Sequence, residues 1–183
     1  MIIIINLKGE GMNILITYSS KTGNTEKLAT GIYKNINEEH GLNVEIKPIA
    51  QVKCTENYDA ILIGYWVDKG GPNEEAKKFM EKIKNKKVGI FATLGAYPDS
   101  NHGFNSLVRG EDLLKENNEI IGKYICQGAV DPNLIEAFKK LDSNNYHAIT
   151  DEKLRRYKIA KLHPNEAEIL SASILFKERL TII

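Results

Sequence analysis

Two segments of the chain are apolar over their whole length, and they restrict the possible folds more than any other feature. They read AILIGYW at residues 60–66 and VGIFATL at residues 88–94. A strand with one face in water alternates apolar and polar residues, so an unbroken apolar run indicates a strand covered on both faces. A parallel sheet with helices packed against each side provides that environment.

Apolar runs and amphipathic segments alternate along the rest of the chain. Strands are predicted at residues 13–18, 43–47, 60–66, 88–94 and 119–126. Helices are predicted at residues 25–36, 73–83, 105–115, 132–141 and from 163 to about 180. The last helix is expected to face the sheet with Ala167, Leu170, Ile174 and Leu175. This alternation predicts an α/β fold, doubly wound around a five-stranded parallel sheet.

Composition excludes several classes of protein. A length of 183 residues suits one domain with a complete core. The net charge of +1 gives no reason to expect a nucleic-acid surface. No segment approaches the roughly 18 consecutive apolar residues that span a bilayer, so we expect a cytoplasmic protein without stable membrane insertion. The basic cluster at residues 155–158 is interpreted as a solvent-facing helix surface, with a partner site as the alternative.

Cysteine and histidine spacing predicts neither a disulfide framework nor a metal site. Cys54 and Cys126 are far apart and form no C-x-x-C pair. His40, His147 and His163 show no spacing typical of metal ligands. No metal-binding residue is therefore predicted.

A second methionine, Met12, opens the segment that contains the first predicted strand. The preceding MIIII run has neither a basic region nor a cleavage site typical of a signal peptide. We expect residues 1–11 to be a non-native or loosely attached extension and residues 12–183 to form the domain. An added edge strand is the alternative interpretation of the first residues.

The loop after the first strand carries an unusual density of hydroxyl groups. It reads SSKTGNT at residues 19–25 and leads directly into a predicted helix. Ligands of parallel sheets bind at the carboxyl ends of the strands, and the N-terminus of a helix favours anions. Neither G-x-x-x-x-G-K-[ST] nor G-x-G-x-x-G is present, so the common nucleotide loops are excluded. The loop therefore predicts a phosphate site, with an ordinary Ser/Thr turn and helix cap as the alternative.

Residues 20–25, S-K-T-G-N-T, resemble the FMN phosphate loop of the flavodoxin family, whose pattern is T/S-x-T-G-x-T. Residues 64–66 and 93–97 fall where the two flavin-ring loops of that family belong, so the resemblance covers roughly residues 12–180. It implies FMN as the cofactor and the strand order 2-1-3-4-5. The segments FATLGA, CQG and HPNE, at residues 91–96, 126–128 and 163–166, are similar to short flavodoxin-like proteins. Relatives of that kind include accessory flavodoxins of bilirubin reductase and menaquinone-linked protoporphyrinogen oxidase-like flavodoxins.

The resemblance implies cofactor-binding residues in three loops. Those expected around the phosphate are Ser19, Ser20, Lys21, Thr22, Gly23, Asn24 and Thr25. Those expected around the ring are Tyr65, Trp66, Val67, Thr93, Leu94, Gly95, Ala96 and Tyr97.

Some of these side chains have two interpretations. Trp66 and Tyr97 are expected to stack on the flavin, and core packing is the alternative for each. Residues 68–71 are the candidate for a peptide that turns toward the flavin, or else form a simple turn. His102 is either a proton donor at the site or a solvent-facing histidine near a helix start. No catalytic side chain is assigned.

The function implied is an FMN-binding electron-transfer protein that supplies a partner reductase. The alternative is a small FMN-dependent NAD(P)H or quinone oxidoreductase, and the absence of a second nucleotide motif from the sequence favours a carrier. A phospho-acceptor receiver with a similar fold needs acidic residues after the first strand, where Ser19 and Ser20 stand instead. A flavodoxin-like protein that has lost FMN remains open.

Overall fold

Five long strands run parallel and place the cofactor loops along one edge of the sheet. The computed structural model describes residues 11–142, 144–145 and 147–182. The long strands are β1 (Met12–Tyr18), β2 (Leu42–Pro48), β3 (Ala60–Asp68), β5 (Lys87–Leu94) and β6 (Glu119–Gln127), and a two-residue β4 (Gly71–Pro72) pairs antiparallel with β3. Their order is β2-β1-β3-β5-β6, which is the 2-1-3-4-5 order implied for five parallel strands. The short β4 was not predicted.

The described residues form six α-helices, the first three between strands and the last three after the last strand. They are α1 (Asn24–Ile36), α2 (Glu74–Met80), α3 (Asn101–Asp112), α4 (Pro132–Lys139), α5 (Asp151–Ala160) and α6 (Glu166–Thr181). The helix predicted at 105–115 begins earlier because the Ser100 side chain caps it by accepting a hydrogen bond from the Gly103 N–H. Helix α5 was not predicted as an element of its own, and Thr150 caps it in the same way through the Lys153 N–H.

Both faces of the sheet are buried, as the unbroken apolar runs predict. Ile14 and Ile16 of β1 lie in a core cluster with α1 and α6, whereas Leu15 lies in a second cluster with α2 on the other side. Phe91 and Phe176 meet edge to face in the first cluster, with ring centroids 6.3 Å apart. The α/β, doubly wound fold class is thus confirmed.

The predicted inner face of the last helix was wrong. Leu170 and Ile174 are 53% and 47% exposed, and Ala167 is also exposed. Ala172, Ser173, Phe176 and Leu180 are buried, and Leu175 packs against the same cluster. Because α6 carries apolar residues around most of its circumference, its sequence does not single out one face, and packing against α1 selects it.

Two sequence expectations concern membranes and the chain start. Within the described ranges, no helix combines the length and apolarity needed to cross a bilayer. Residues 1–10 lie outside the described residues, so the predicted extension and the start at Met12 stay predictions.

Candidate functional site

A cavity of about 620 Å³ opens at the carboxyl edge of the sheet. Its walls come from the loops after β1, β3, β5 and β6, and from α4 and α5. This is the edge at which doubly wound sheets bind their ligands. The cavity therefore lies where the sequence places the cofactor.

Ten of the fifteen predicted cofactor residues line this cavity. They are Lys21, Thr22, Asn24, Trp66, Val67, Thr93, Leu94, Gly95, Ala96 and Tyr97. Ser19, Ser20, Gly23, Thr25 and Tyr65 are not among the lining residues. The three predicted loops thus come together in space; of the five other residues, Ser19, Thr25 and Tyr65 are buried, whereas Ser20 is half-buried and Gly23 is exposed.

The loop at residues 20–25, part of which lines the cavity, suits an anion. Gly23 precedes α1 with a φ of 84°, a left-handed conformation that glycine adopts without strain, and it has no side chain with which to cap the helix. The Ser20 Oγ atom is buried, and no group in the described part of the chain hydrogen bonds to it. A buried hydroxyl without a partner is unfavourable, so this atom and the open helix end fit a phosphate oxygen well.

Ser19 has a structural role next to this loop. Its Oγ donates to Glu75 Oε2 at 2.5 Å and accepts from Asn73 Nδ2 at 2.8 Å. These bonds turn the hydroxyl toward α2 and tie the loop to the segment after β4. Ser19 was predicted to contact the cofactor, but its side chain is already engaged in these bonds.

Three further hydrogen bonds hold the loop, one within it and two to its neighbours. The hydroxyls of Thr25 and Thr93 lie 2.9 Å apart and are buried, so they join the start of α1 to the end of β5. Asn24 Nδ2 donates both to Thr22 Oγ1 and to the Ala129 carbonyl oxygen, at 2.8 and 2.9 Å. The loop is therefore held in shape before any ligand binds, which lowers the entropic cost of binding.

Trp66 and Tyr97, the two aromatic residues predicted to stack on the flavin, each lie next to a cation. Lys21 Nζ is 5.5 Å from the centre of the Trp66 ring and 3.5 Å from Asp131 Oδ2. The Arg156 guanidinium is 5.8 Å from the centre of the Tyr97 ring. Both distances allow a cation–π attraction.

Tyr65 belongs to the core, unlike its neighbour Trp66. Its ring is completely buried, and its hydroxyl donates to the Ser106 carbonyl oxygen at 2.9 Å. Burial raises the pKa of the Tyr65 hydroxyl above its ordinary value, so the group stays protonated and remains a donor. Side chains alternate along a strand, which places Trp66 at the cavity and Tyr65 in the opposite direction.

Replacing Tyr65 by phenylalanine tests this position. We expect the free energy of unfolding to fall by about 1 kcal/mol, because the buried Ser106 carbonyl loses its donor. Affinity for FMN should change less than about twofold, since the side chain does not line the cavity. Urea unfolding and FMN titration of the same variant measure the two quantities. A large loss of FMN affinity at unchanged stability would contradict the core assignment.

The loop between β3 and β4 is held by a residue that sequence reasoning did not identify. Lys69 and Gly70 have φ values of 48° and 80°. Arg109 of α3 donates through Nη1 to the carbonyl oxygens of Lys69 and Gly70, both at 3.1 Å. This clamp fixes the segment proposed for backbone rearrangement, and His102 lines the cavity beside it.

The residues of the outer wall of the cavity were also not predicted from the sequence. It consists of Gly128–Asp131 after β6, Leu134 and Phe138 of α4, His147, and Lys153, Arg156 and Tyr157 of α5. The CQG segment marked the first part of this wall. The interpretation of residues 155–158 as a solvent-facing surface was wrong for two of them: Tyr157 is buried, and the Arg156 side chain is only 19% exposed. Their place in the structure depends on tertiary packing, which a polar stretch without apolar periodicity does not reveal.

Comparisons with known proteins agree with this geometry. A family model described as a flavodoxin domain matches residues 15–177. The flavodoxin-like domain-containing protein BilS of Clostridioides difficile is 36% identical over 172 residues, which are 92% of this chain and 97% of that protein. A BilS of Clostridium symbiosum is 22% identical over 86% of this chain and 90% of its own length.

Solved structures show the same fold. A flavodoxin from the domain Archaea superposes with a TM-score of 0.52 at 17% identity, over 90% of this chain and 99% of that one. A flavoprotein from Lactobacillus acidophilus, solved in complex with FMN, gives a TM-score of 0.50 at 19% identity, over 63% of this chain and 93% of that one.

Proposed function

The chain belongs to the flavodoxin family, whose cofactor is FMN, and we propose that it acts as an electron carrier that supplies a partner reductase. The observation that supports this best is the cavity at the carboxyl edge, to which the predicted phosphate loop and the two predicted ring loops all contribute. A cytoplasmic location and a protein partner are parts of this proposal.

The residues divide between the two ends of the cofactor. The N-terminus of α1 and the Ser20 hydroxyl would hold the phosphate, with Thr22 and Asn24 beside them. Trp66 and the segment Thr93–Tyr97 would border the flavin ring. FMN supplies the electron chemistry when bound, and the chain supplies orientation and electrostatics.

Backbone contacts are expected to matter at the ring. Gly95 lies against Val130, whose Cγ2 atom would be 2.3 Å from an added Cβ, so a side chain at this position would collide with the cavity wall. The segment Thr93–Tyr97 therefore packs directly against the loop after β6, and its main-chain N–H groups would serve as donors to the flavin ring. Donors fixed in this way stabilise negative charge without reorganising.

A specific feature supports the alternative of a small FMN-dependent NAD(P)H or quinone oxidoreductase. The cavity extends to the outer wall, where Leu134, Phe138 and Tyr157 present apolar surface. A small molecule bound there would lie beside the ring loops. An electron carrier that meets only protein partners has no need of such a wall.

One experiment separates the two functions. The apoprotein is titrated with FMN, and the loaded protein is then mixed without oxygen with NADPH and, separately, with NADH while the oxidised flavin absorption band is followed. A band that persists with both nucleotides and disappears only with dithionite is expected for a carrier. Rapid bleaching by either nucleotide would instead make the chain a reductase.

Free FMN at the same concentration is the control for reaction outside the protein. Failure of the apoprotein to bind FMN at micromolar concentrations would contradict both functions and favour an interaction protein that has lost its cofactor. Loading is therefore measured before reduction.

A further inference from the structure

Arg156 of α5 is a partly buried cation whose hydrogen bonding is incomplete. Its side chain is 19% exposed, and its Nε atom is buried without a partner among the described residues. Its nearest carboxylate is Glu152, 3.9 Å from Nη1 and itself 71% exposed. A pair at that distance with a solvated partner compensates a partly buried guanidinium poorly.

The surroundings of Arg156 are mainly apolar and aromatic, with Lys153 on the same wall of the cavity. The guanidinium lies 5.8 Å from the centre of the Tyr97 ring and 5.6 Å from that of the Tyr157 ring. Leu134 and Phe138 line the same wall of the cavity. A flat molecule that carries an oxyanion would satisfy both the rings and the guanidinium, whose planar fork matches a carboxylate.

The oxidised cofactor does not supply that anion. FMN carries its negative charge on the phosphate, for which the chain has the separate site at Ser20 and the N-terminus of α1. The oxidised flavin ring is neutral. Lys21, the cation of the phosphate loop, is already within 3.5 Å of Asp131. Arg156 is therefore left as a cavity cation without a full partner.

We propose that Arg156, between Tyr97 and Tyr157, forms a subsite for a flat, oxyanion-bearing small molecule that binds beside the flavin. The subsite goes beyond the carrier function, because it gives the chain a small-molecule ligand of its own. It rests on the proposed function only in placing the flavin next to that ligand.

Benzoate serves as the probe, and benzamide serves as its neutral counterpart of the same shape. Trp66 is the single tryptophan of the chain and lines the cavity, so its fluorescence reports binding in the apoprotein without any flavin. The flavin absorption band reports binding in the FMN-loaded protein. We expect saturable binding of benzoate, and binding of benzamide that is at least about tenfold weaker.

Arg156→Gln and Arg155→Gln form a matched pair. Both remove one positive charge from α5, but Arg155 is exposed and does not line the cavity. Arg156→Gln should weaken benzoate at least about tenfold, and Arg155→Gln should leave it within about twofold. Arg156→Lys should recover only part of the affinity, because lysine keeps the charge and lacks the planar fork.

Three results would overturn the subsite. They are equal binding of benzoate and benzamide, equal loss in both glutamine variants, and a loss of FMN affinity in Arg156→Gln that matches its loss of benzoate. The last result would make the flavin itself the partner of Arg156. Failure to load FMN would defeat the carrier function alone, since the tryptophan signal measures the subsite in the apoprotein.

Discussion

Replacing Ser20 by alanine should weaken FMN binding by about tenfold to a hundredfold, because a hydroxyl that donates to a charged phosphate contributes about 1.5–3 kcal/mol. The same change should leave the apoprotein at least as stable as the original chain. The Ser20 Oγ atom is buried without a partner in the described structure, so its removal takes away an unsatisfied polar group. Fluorescence titration with FMN and thermal unfolding of the apoprotein measure the two effects.

A loss of FMN affinity without a loss of apoprotein stability distinguishes a ligand contact from a structural role of the Ser20 hydroxyl. Ser171→Ala is the matched control, since it removes the same atom from an exposed position on α6, where the hydroxyl donates to the Ala167 carbonyl oxygen. Its FMN affinity should equal that of the original chain. A Ser20→Ala protein that is less stable and binds FMN normally would assign the hydroxyl to the architecture of the loop.

Replacing Gly64 by alanine should destabilise the protein by about 1–3 kcal/mol or more, through overpacking of the core. Gly64 of β3 lies directly opposite Phe91 of β5, and an added Cβ would stand 2.1 Å from Cε2 of that ring. Phe91 is completely buried and packs against Phe176, so the ring has little space into which to move. Urea unfolding of the apoprotein measures the loss.

A second substitution tests the cause. Phe91→Leu removes the ring atoms that the new methyl group would meet, at the expense of its own cavity. The double variant Gly64→Ala with Phe91→Leu should lose less stability than the sum of the two single losses. Strict additivity would show that the glycine is required for a reason other than the aromatic ring.

The sheet could be predicted from the sequence because strands buried on both faces consist of unbroken apolar runs. Every predicted long strand is present, with ends that agree to within about two residues. The loop at residues 19–25 stands out in the sequence for a similar reason, since its hydroxyls and Gly23 are local features, and its phosphate binding stays a prediction. The sequence does not show to which face of the sheet a given side chain points. It therefore does not tell which of the adjacent aromatic residues, Tyr65 or Trp66, enters the core.

The outer wall of the cavity, in contrast, could not be predicted from the sequence. Arg156 and Tyr157 stand in a charged segment whose composition is that of any solvated helix. Only the packing of α5 over the ends of the strands converts them into cavity residues. Likewise, the clamp of Arg109 on the Lys69 and Gly70 carbonyls joins positions that are distant along the chain. Such contacts follow from the fold and cannot be read from local patterns.

The position of α4 and α5 in the chain has a consequence for diversification within the family. Both helices belong to the connection between the last strand and the last helix, so none of the hydrogen bonds between the parallel strands depends on them. Insertions, deletions and substitutions in such a connection are tolerated far better than changes in a buried strand. The loop at residues 20–25 contacts only the start of this connection, through Ala129 and Asp131, so exchange of α5 between homologues would alter the outer wall and leave those contacts in place.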